Sequence, residues 1–244
     1  MVEVGKTVVY ALLIALVLRV LLFQPFTIPS ASMEPTLLEG DYIIVSKYSY
    51  GFSKHSIPLS PPIFSGRIFG RTPERGDVIV FKLPRDGETD YIKRLIGLPG
   101  DKVQMIKDRL YINGQMVERQ PLPPFSATGR FGAPEDVPHY LETLPGGVSH
   151  EIIQLDGDTN PMPYTADTDV YEVPPGQYFF MGDNRDNSSD SRVPPDKGGV
   201  GFVPFVNLVG RAEVIFFSVD DAPAWQFWRW PWTVRWNRMF HAVR

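Results

Sequence analysis

From Thr7 to Phe23 the chain reads TVVYALLIALVLRVLLF, 17 residues with Arg19 as the one charge, whereas beyond residue 40 apolar and polar positions come in short runs. The first pattern predicts a helix and the second a sheet. A helix of 17 residues rises about 25 Å, against a bilayer hydrocarbon core of about 30 Å. Val2, Val4 and the Pro25-Phe26 edge can extend it, and Arg19 lies close enough to its end for the guanidinium to reach the headgroups. The segment therefore predicts one N-terminal transmembrane helix, an anchor over residues 1–24. A cleavable secretory signal is the alternative, since Ser30-Ala31-Ser32 has the small-x-small form in which such signals end. The length of the apolar run and the intervening Pro25 and Pro29 favour an uncleaved anchor. The short tail carrying Lys6 favours an inward N-terminus and a body outside the cytoplasm.

Two stretches, GDYIIVSKYSYG (Gly40 to Gly51) and RGDVIVFKLP (Arg75 to Pro84), open with Gly-Asp and run into β-branched and aromatic residues, as a turn enters a buried strand. Residues 52–74 between them are rich in Pro, Ser and Gly and read as a loop. TDYIKRLIGLPGDKVQMI predicts a strand, a Pro-Gly-Asp turn and a second strand; RLYINGQMVERQ carries Asn113-Gly114, the favoured two-residue hairpin turn. From about Gln120 to Tyr171 proline and glycine are frequent and long apolar runs few. Strand patterning returns at QYFFMGDNRDNSSDSR and LVGRAEVIFFSVD. The expected fold is mainly β: an antiparallel sheet core in two parts, 25–104 and 173–221, with an inserted small β-rich subdomain at 105–172. An aromatic and basic tail, 222–244, follows. All five tryptophans fall in residues 225–244 with four arginines and no acid, so the tail either lies on lipid or packs on the body.

The net charge is −4, with no basic stripe, which argues against a nucleic-acid partner. The chain has no cysteine, so thiol catalysis, thiolate zinc, iron–sulfur clusters and disulfides are excluded. His55, His139, His150 and His241 are scattered without ligand spacing and read as surface residues. No metal and no cofactor are expected.

Three stretches hold polar residues that a plain sheet does not call for: IPSASMEPTL, DYIKRLIGLPGD and GDNRDNSSDSR. Strand alternation puts Tyr91, Lys93 and Leu95 on one face and Ile92, Arg94 and Ile96 on the other. One charge must share a face with large apolar neighbours. A buried lysine loses hydration, its pKa falls from about 10.4, and its neutral amine is a base. An attacking hydroxyl needs such a base within hydrogen-bond reach, and no histidine stands in a partner motif.

Taken in order, IPSASMEPTL, GDYIIVSKYSYG, RGDVIVFK, DYIKRLIGLPGDKV and GDNRDNSSDSR resemble the boxes of bacterial type I signal peptidases, membrane-anchored serine–lysine endopeptidases. The resemblance covers the anchor and the body apart from about 105–172 and the tail. It implies that Ser32 is the nucleophile and Lys93 the general base, with Ser188 orienting the lysine and Asp190 and Arg192 forming a supporting ion pair. It further implies an oxyanion hole made by the Ser30 side chain and the Ser32 N–H, and a substrate pocket including Ile28, Leu37, Tyr91 and Ile92. The substrates would be signal peptides of exported preproteins, cut after small-x-small sites. The location would be the bacterial inner (plasma) membrane, with one span in the lipid bilayer and the body on the extracytoplasmic side. Ala31 departs from the family's usual glycine and disfavours a positive φ. Met33 is either near the membrane face or ordinary core filling.

Two other readings place the same residues differently. A self-cleaving repressor-type protease resembles this catalytic arrangement but needs a DNA-binding module, where this chain has an apolar helix. A membrane-tethered binding or scaffold protein would leave Ser32 and Lys93 idle. A penicillin-binding enzyme would need Ser-x-x-Lys, which the sequence lacks.

Overall fold

The apolar N-terminal run forms α1 (Val2–Leu21), and Pro25, which lacks the N–H a helix needs, falls in strand β1 (Phe23–Thr27). The Pro25-Phe26 edge therefore extends the sheet and not the helix. The computed structural model describes residues 2–128, 134–154, 163–220, 228 and 230–244. Among the described residues no helix is long and apolar enough to cross a membrane, which departs from the transmembrane span expected over residues 1–24. The side chains of residues 14–20, within the densest part of that apolar run, lie outside those described. Those of Val8, Val9, Leu12 and Leu13 are exposed, so the described part of α1 packs on nothing.

The body is built on antiparallel strands: β2 (Asp41–Ser46), β3 (Val78–Lys82), β4 (Asp90–Gly97), β5 (Lys102–Ile106), β6 (Arg109–Ile112) and β7 (Gln115–Met116). There follow β8 (Glu118–Thr128), β9 (Pro134–Thr143), β10 (Ser149–Ile153), β11 (Tyr171–Glu172), β12 (Gln177–Met181), β13 (Val203–Pro204), β14 (Leu208–Ser218) and β15 (His241–Ala242). The main sheet runs β1-β2-β14-β3-β4-β12-β13, with β15 paired to β14. Strands from both ends of the chain interleave in it. The fold is thus mainly β and antiparallel.

Two small sheets flank this core. In one, β11-β5-β6-β7, Asn113 and Gly114 take φ of 54° and 78°, the left-handed pair that the Asn-Gly hairpin turn requires. The other, β10-β9-β8, is held to the core through a parallel bridge between Ile153 and Asn184. Its long strands carry Pro121, Pro123, Pro124 and Pro138, and a register shift between Leu122 and Phe125 absorbs two of them.

Three apolar clusters fill the body. Ile28, Met33, Leu37, Ile43 and Val45 belong to the first, so Met33 is core filling. The loop 52–74 has only one short 3₁₀ turn, Lys54–Ser56, and a bridge between Phe52 and Ile68. In the tail, α2 (Trp230–Thr233) starts with Pro231 in its first turn, where a proline is tolerated. Arg235 and Arg238 then tie the tail to the body: Arg238 donates to the Asp41 carboxylate and to the Thr36 carbonyl. Trp228, Trp232, Trp236 and Phe240 remain exposed.

Candidate active site

Ser32 leaves β1 through Pro29 and sits in a 3₁₀ turn, Ala31–Met33, entered from extended Ser30. The turn packs against the middle of β4, where Lys93 Nζ lies 2.5 Å from Ser32 Oγ. Both side chains are buried, at 8% and 4% exposure. The Ser30 and Ser32 hydroxyls are 3.3 Å apart. A helical turn leaves its first N–H groups without intrahelical partners, so the Ser32 N–H is unclaimed by its own turn. Ala31 adopts no positive φ, so its methyl group meets no left-handed backbone penalty there.

Burial pulls the Lys93 pKa from its ordinary range down to about 8, against the opposing pull of the Asp190 and Asp183 carboxylates and with help from Arg192. Each of the two acids already holds an arginine. Arg192 donates to Asp190 through Nε (2.9 Å) and a terminal nitrogen (2.8 Å), and the Gly182 N–H adds a third bond at 3.0 Å. Burial pushes the Asp190 carboxyl up, but Arg192 and these bonds bring it below the usual carboxylate range. Arg94, the neighbour of Lys93, donates to Asp183 through Nε at 2.8 Å and a terminal nitrogen at 2.7 Å. Thr36 donates to the same carboxylate at 2.6 Å. Lys93 thus sits between two neutralised pairs, with its amine 5.6 Å from the Tyr91 ring centre.

The sequence-derived site residues fall in one region with different degrees of contact. Ser30, Ser32 and Lys93 meet directly, and Asp190 and Arg192 pair beside them. Ser188 is buried, but its hydroxyl has no hydrogen-bond partner among the described residues and does not bond Lys93. It nevertheless borders Ser32: a Cβ on Gly182 would stand 2.3 Å from Ser188 Oγ and 2.4 Å from the Ser32 carbonyl oxygen. Only glycine fits between them. Ile28 and Leu37 are fully buried in one cluster with Ile92 against it, whereas Tyr91 packs against the second cluster, near Phe81.

Several contacts of the site carried no sequence signal. Asp183 and Arg94 are 89 positions apart, so nothing local announces their pairing. Arg185 chelates Glu142 from β9, and buried His150 lies 3.6 Å from that carboxylate and 3.9 Å from Asp183. His150 and His55 are buried, contrary to their expected surface position. Burial holds the His150 ring neutral, helped by Arg94 and Arg185, and lowers the His55 pKa to about 4. Glu34, next to the turn that carries Ser32, is pushed by burial to about 7. No group of three metal-ligating side chains occurs among the described residues.

An antiparallel β body with a serine and a lysine in buried contact has the architecture of a hydrolase. The model of the family "Signal peptidase, peptidase S26" matches residues 1–217, and the chain belongs to that family and is a serine endopeptidase. Signal peptidase I of Rickettsia typhi (strain ATCC VR-144 / Wilmington) is 47% identical over 216 residues, 86% of this chain and 77% of that protein. That of Rickettsia massiliae (strain Mtu5) is 46% identical over 217 residues, with the same coverage. Among solved structures, a signal peptidase I from Enterococcus faecalis V583 is 30% identical and covers 58% of this chain and 97% of its own, with a TM-score of 0.32.

The buried pairs predict an asymmetry in stability. Asp183→Ala strands the fully buried Arg94 guanidinium and should lower unfolding free energy by about 3–5 kcal/mol. Glu172→Ala, which removes the exposed Lys102–Glu172 pair, should change it little. Denaturant unfolding of the two variants in the same detergent measures the difference.

Proposed function

We propose that the protein is a membrane-bound endopeptidase that removes N-terminal signal peptides from exported preproteins after small-x-small sites, with Ser32 as nucleophile and Lys93 as general base. The observation that carries this reading is the 2.5 Å contact between Lys93 Nζ and Ser32 Oγ inside a buried site. With Lys93 neutral, the same contact lets the hydroxyl donate to the amine. Lys93 takes the proton as Ser32 Oγ attacks the scissile carbonyl, then passes it to the departing amine of the mature protein. Water, deprotonated by the same amine, releases the acyl-enzyme. The Ser30 hydroxyl and the Ser32 N–H stabilise the oxyanion. Ser188 holds the lysine once a rotamer change brings its free hydroxyl round, and the Asp190–Arg192 pair fixes the loop that carries it. Ile28, Leu37, Tyr91 and Ile92 border shallow apolar subsites that admit small side chains.

The wider setting belongs to the same reading. α1 anchors the chain as a single span in the bacterial inner membrane, which its exposed apolar side chains support. The body then lies on the extracytoplasmic side, where signal peptides emerge, and confinement to the bilayer raises their effective concentration. The tail lies against lipid through Trp228, Trp232 and Trp236 while Arg235 and Arg238 hold it to the body. The division into anchor (1–24), core (25–104 and 173–221), inserted subdomain (105–172) and tail (222–244) follows. No cofactor or metal takes part in this chemistry.

Ser32→Ala and Lys93→Ala should each abolish cleavage of a preprotein by the purified full chain in detergent while leaving its unfolding transition in place; retained cleavage by both ends the proposal. Ser30→Ala should slow turnover without stopping it, since one lost oxyanion donor costs about 2.7–4 kcal/mol in the barrier. The pH dependence provides a separate measurement. Only the neutral amine accepts a proton, so kcat/KM should climb as pH rises through about 8. Glu34→Gln, which removes the other nearby group titrating around neutrality, should leave that limb in position. A flat profile between about pH 6 and 9 would falsify a lysine base.

A further inference from the structure

Between Asp41 and Glu74 the chain has no acidic residue and four basic ones, Lys47, Lys54, Arg67 and Arg71. Within this stretch the loop 57–70 holds large apolar side chains in solvent. Leu59 is fully exposed, and Ile63 and Phe69 are 69% and 80% exposed. Leu59 and Phe69 have φ of 65° and 55°, left-handed backbone that bulky residues rarely adopt. Such strain persists only where the surroundings enforce it, and it collects at functional segments.

The surroundings here do enforce it. Phe52 and Ile68 exchange two backbone hydrogen bonds of 2.8 Å. The Arg67 guanidinium donates to the carbonyls of Gly51 (2.7 Å), Phe205 (2.8 Å) and Leu208, and lies 4.7 Å from the centre of the Phe205 ring. Lys47 Nζ donates to the Ser56 carbonyl at 2.6 Å, and His55 Nδ1 meets Ser60 Oγ at 2.9 Å. Lys47 and Arg67 thus build the loop, while half-buried Lys54 and exposed Arg71 leave it a positive surface. The result is a fixed platform that holds separate apolar tips outward.

Its position in the fold identifies what covers those tips. The loop leaves β2 at Ser46, the residue in register with Phe23, the first of β1. The Lys47 N–H donates to the Leu22 carbonyl at 2.9 Å, and the Tyr48 and Phe23 rings meet edge to face at 5.7 Å. Arg67 ties the far side of the loop to Leu208, where β14 begins. The platform therefore stands at the end of the sheet at which α1 joins the body. Apolar tips on a segment whose own charged side chains are all lysine and arginine suit the interface of an anionic bilayer.

We propose that residues 57–70 form a second membrane contact, which lays Leu59, Ile63 and Phe69 into the interfacial layer of an anionic bilayer beside the point where α1 leaves it. This rests on reading α1 as the anchor. The loop then fixes the tilt of the body at the surface, which a single helix cannot do. A chain without cysteine allows a direct test by single-site labelling. Leu59→Cys, Ile63→Cys and Phe69→Cys in the full chain each carry an environment-sensitive dye after reconstitution into phosphatidylglycerol–phosphatidylcholine vesicles. Leu12→Cys reports on α1, and exposed Met116→Cys on the flanking sheet reports on the aqueous phase.

The three loop labels should be quenched by nitroxide-bearing lipid and shielded from aqueous iodide, with Met116→Cys the reverse. Loop labels as open to iodide as Met116→Cys, with Leu12→Cys quenched by lipid, overturn the loop contact and leave the anchor standing. If Leu12→Cys is open to iodide as well, both readings fall. Lipid quenching at the loop with Leu12→Cys open to iodide removes the anchor and overturns a contact placed beside it.

Discussion

A lysine amine taken out of water and held against a serine hydroxyl sets the conditions that the rest of the site has to meet. Moving the Lys93 pKa from 10.5 to about 8 disfavours its charged form by about 3 kcal/mol. Below about pH 8 the folded protein carries that penalty in full. Between about 8 and 10.5 the unfolded chain binds a proton that the folded chain does not, so this group's contribution to stability improves as pH rises. A free carboxylate beside Lys93 would remove the penalty and also the base, by holding the proton. The site avoids this by giving each nearby acid its own arginine, Asp190 with Arg192 and Asp183 with Arg94. Desolvation then decides the protonation state.

The topology follows from the need to bring three distant segments to one lysine. β4 lies between β3 and β12: Lys93 pairs with Ile79 of β3, and its neighbour Arg94 pairs with Met181 at the end of β12. β12 delivers Gly182 at its end, and the loop that begins there turns back under Ser32. The Asn184 N–H and side-chain amide donate to the carbonyls of Ser32 and Ala31 at 3.3 and 3.2 Å. Gly182 allows the close approach. The β8–β10 sheet supports the same loop from outside, through the Ile153–Asn184 bridge and the Glu142–Arg185 pair. A segment that a linear reading treats as an insertion thus reaches the hydrogen bonds behind Ser32.

The end of the sheet that carries α1 is also where the loop 57–70 stands, and the tail lies nearer the other end, around Asp41. Exposed apolar side chains occur at both ends and along β1 between them. On the proposed reading, a body oriented by several such contacts would present Ser32 at a defined height above the lipid.

The sequence by itself determined the strands and the residue types of the site. The period-two runs became β2, β3, β4, β12 and β14, and Asn113-Gly114 became the hairpin turn, because both signals depend only on neighbouring residues. Strand alternation required one charge of the Lys93-Arg94 pair to share an apolar face, and the fold buries both. β8 and β9 were hidden by prolines that normally exclude a strand, and only their pairing with each other and with β10 overcomes that local preference. The Asp183–Arg94 and Glu142–Arg185 pairs, the burial of His55 and His150, and the unbonded state of Ser188 were decided by tertiary structure. Each depends on segments brought together by the sheet order β2-β14-β3-β4-β12. An ion pair across tens of residues leaves no periodic trace, since its energy depends on a distance that exists only after the chain has folded.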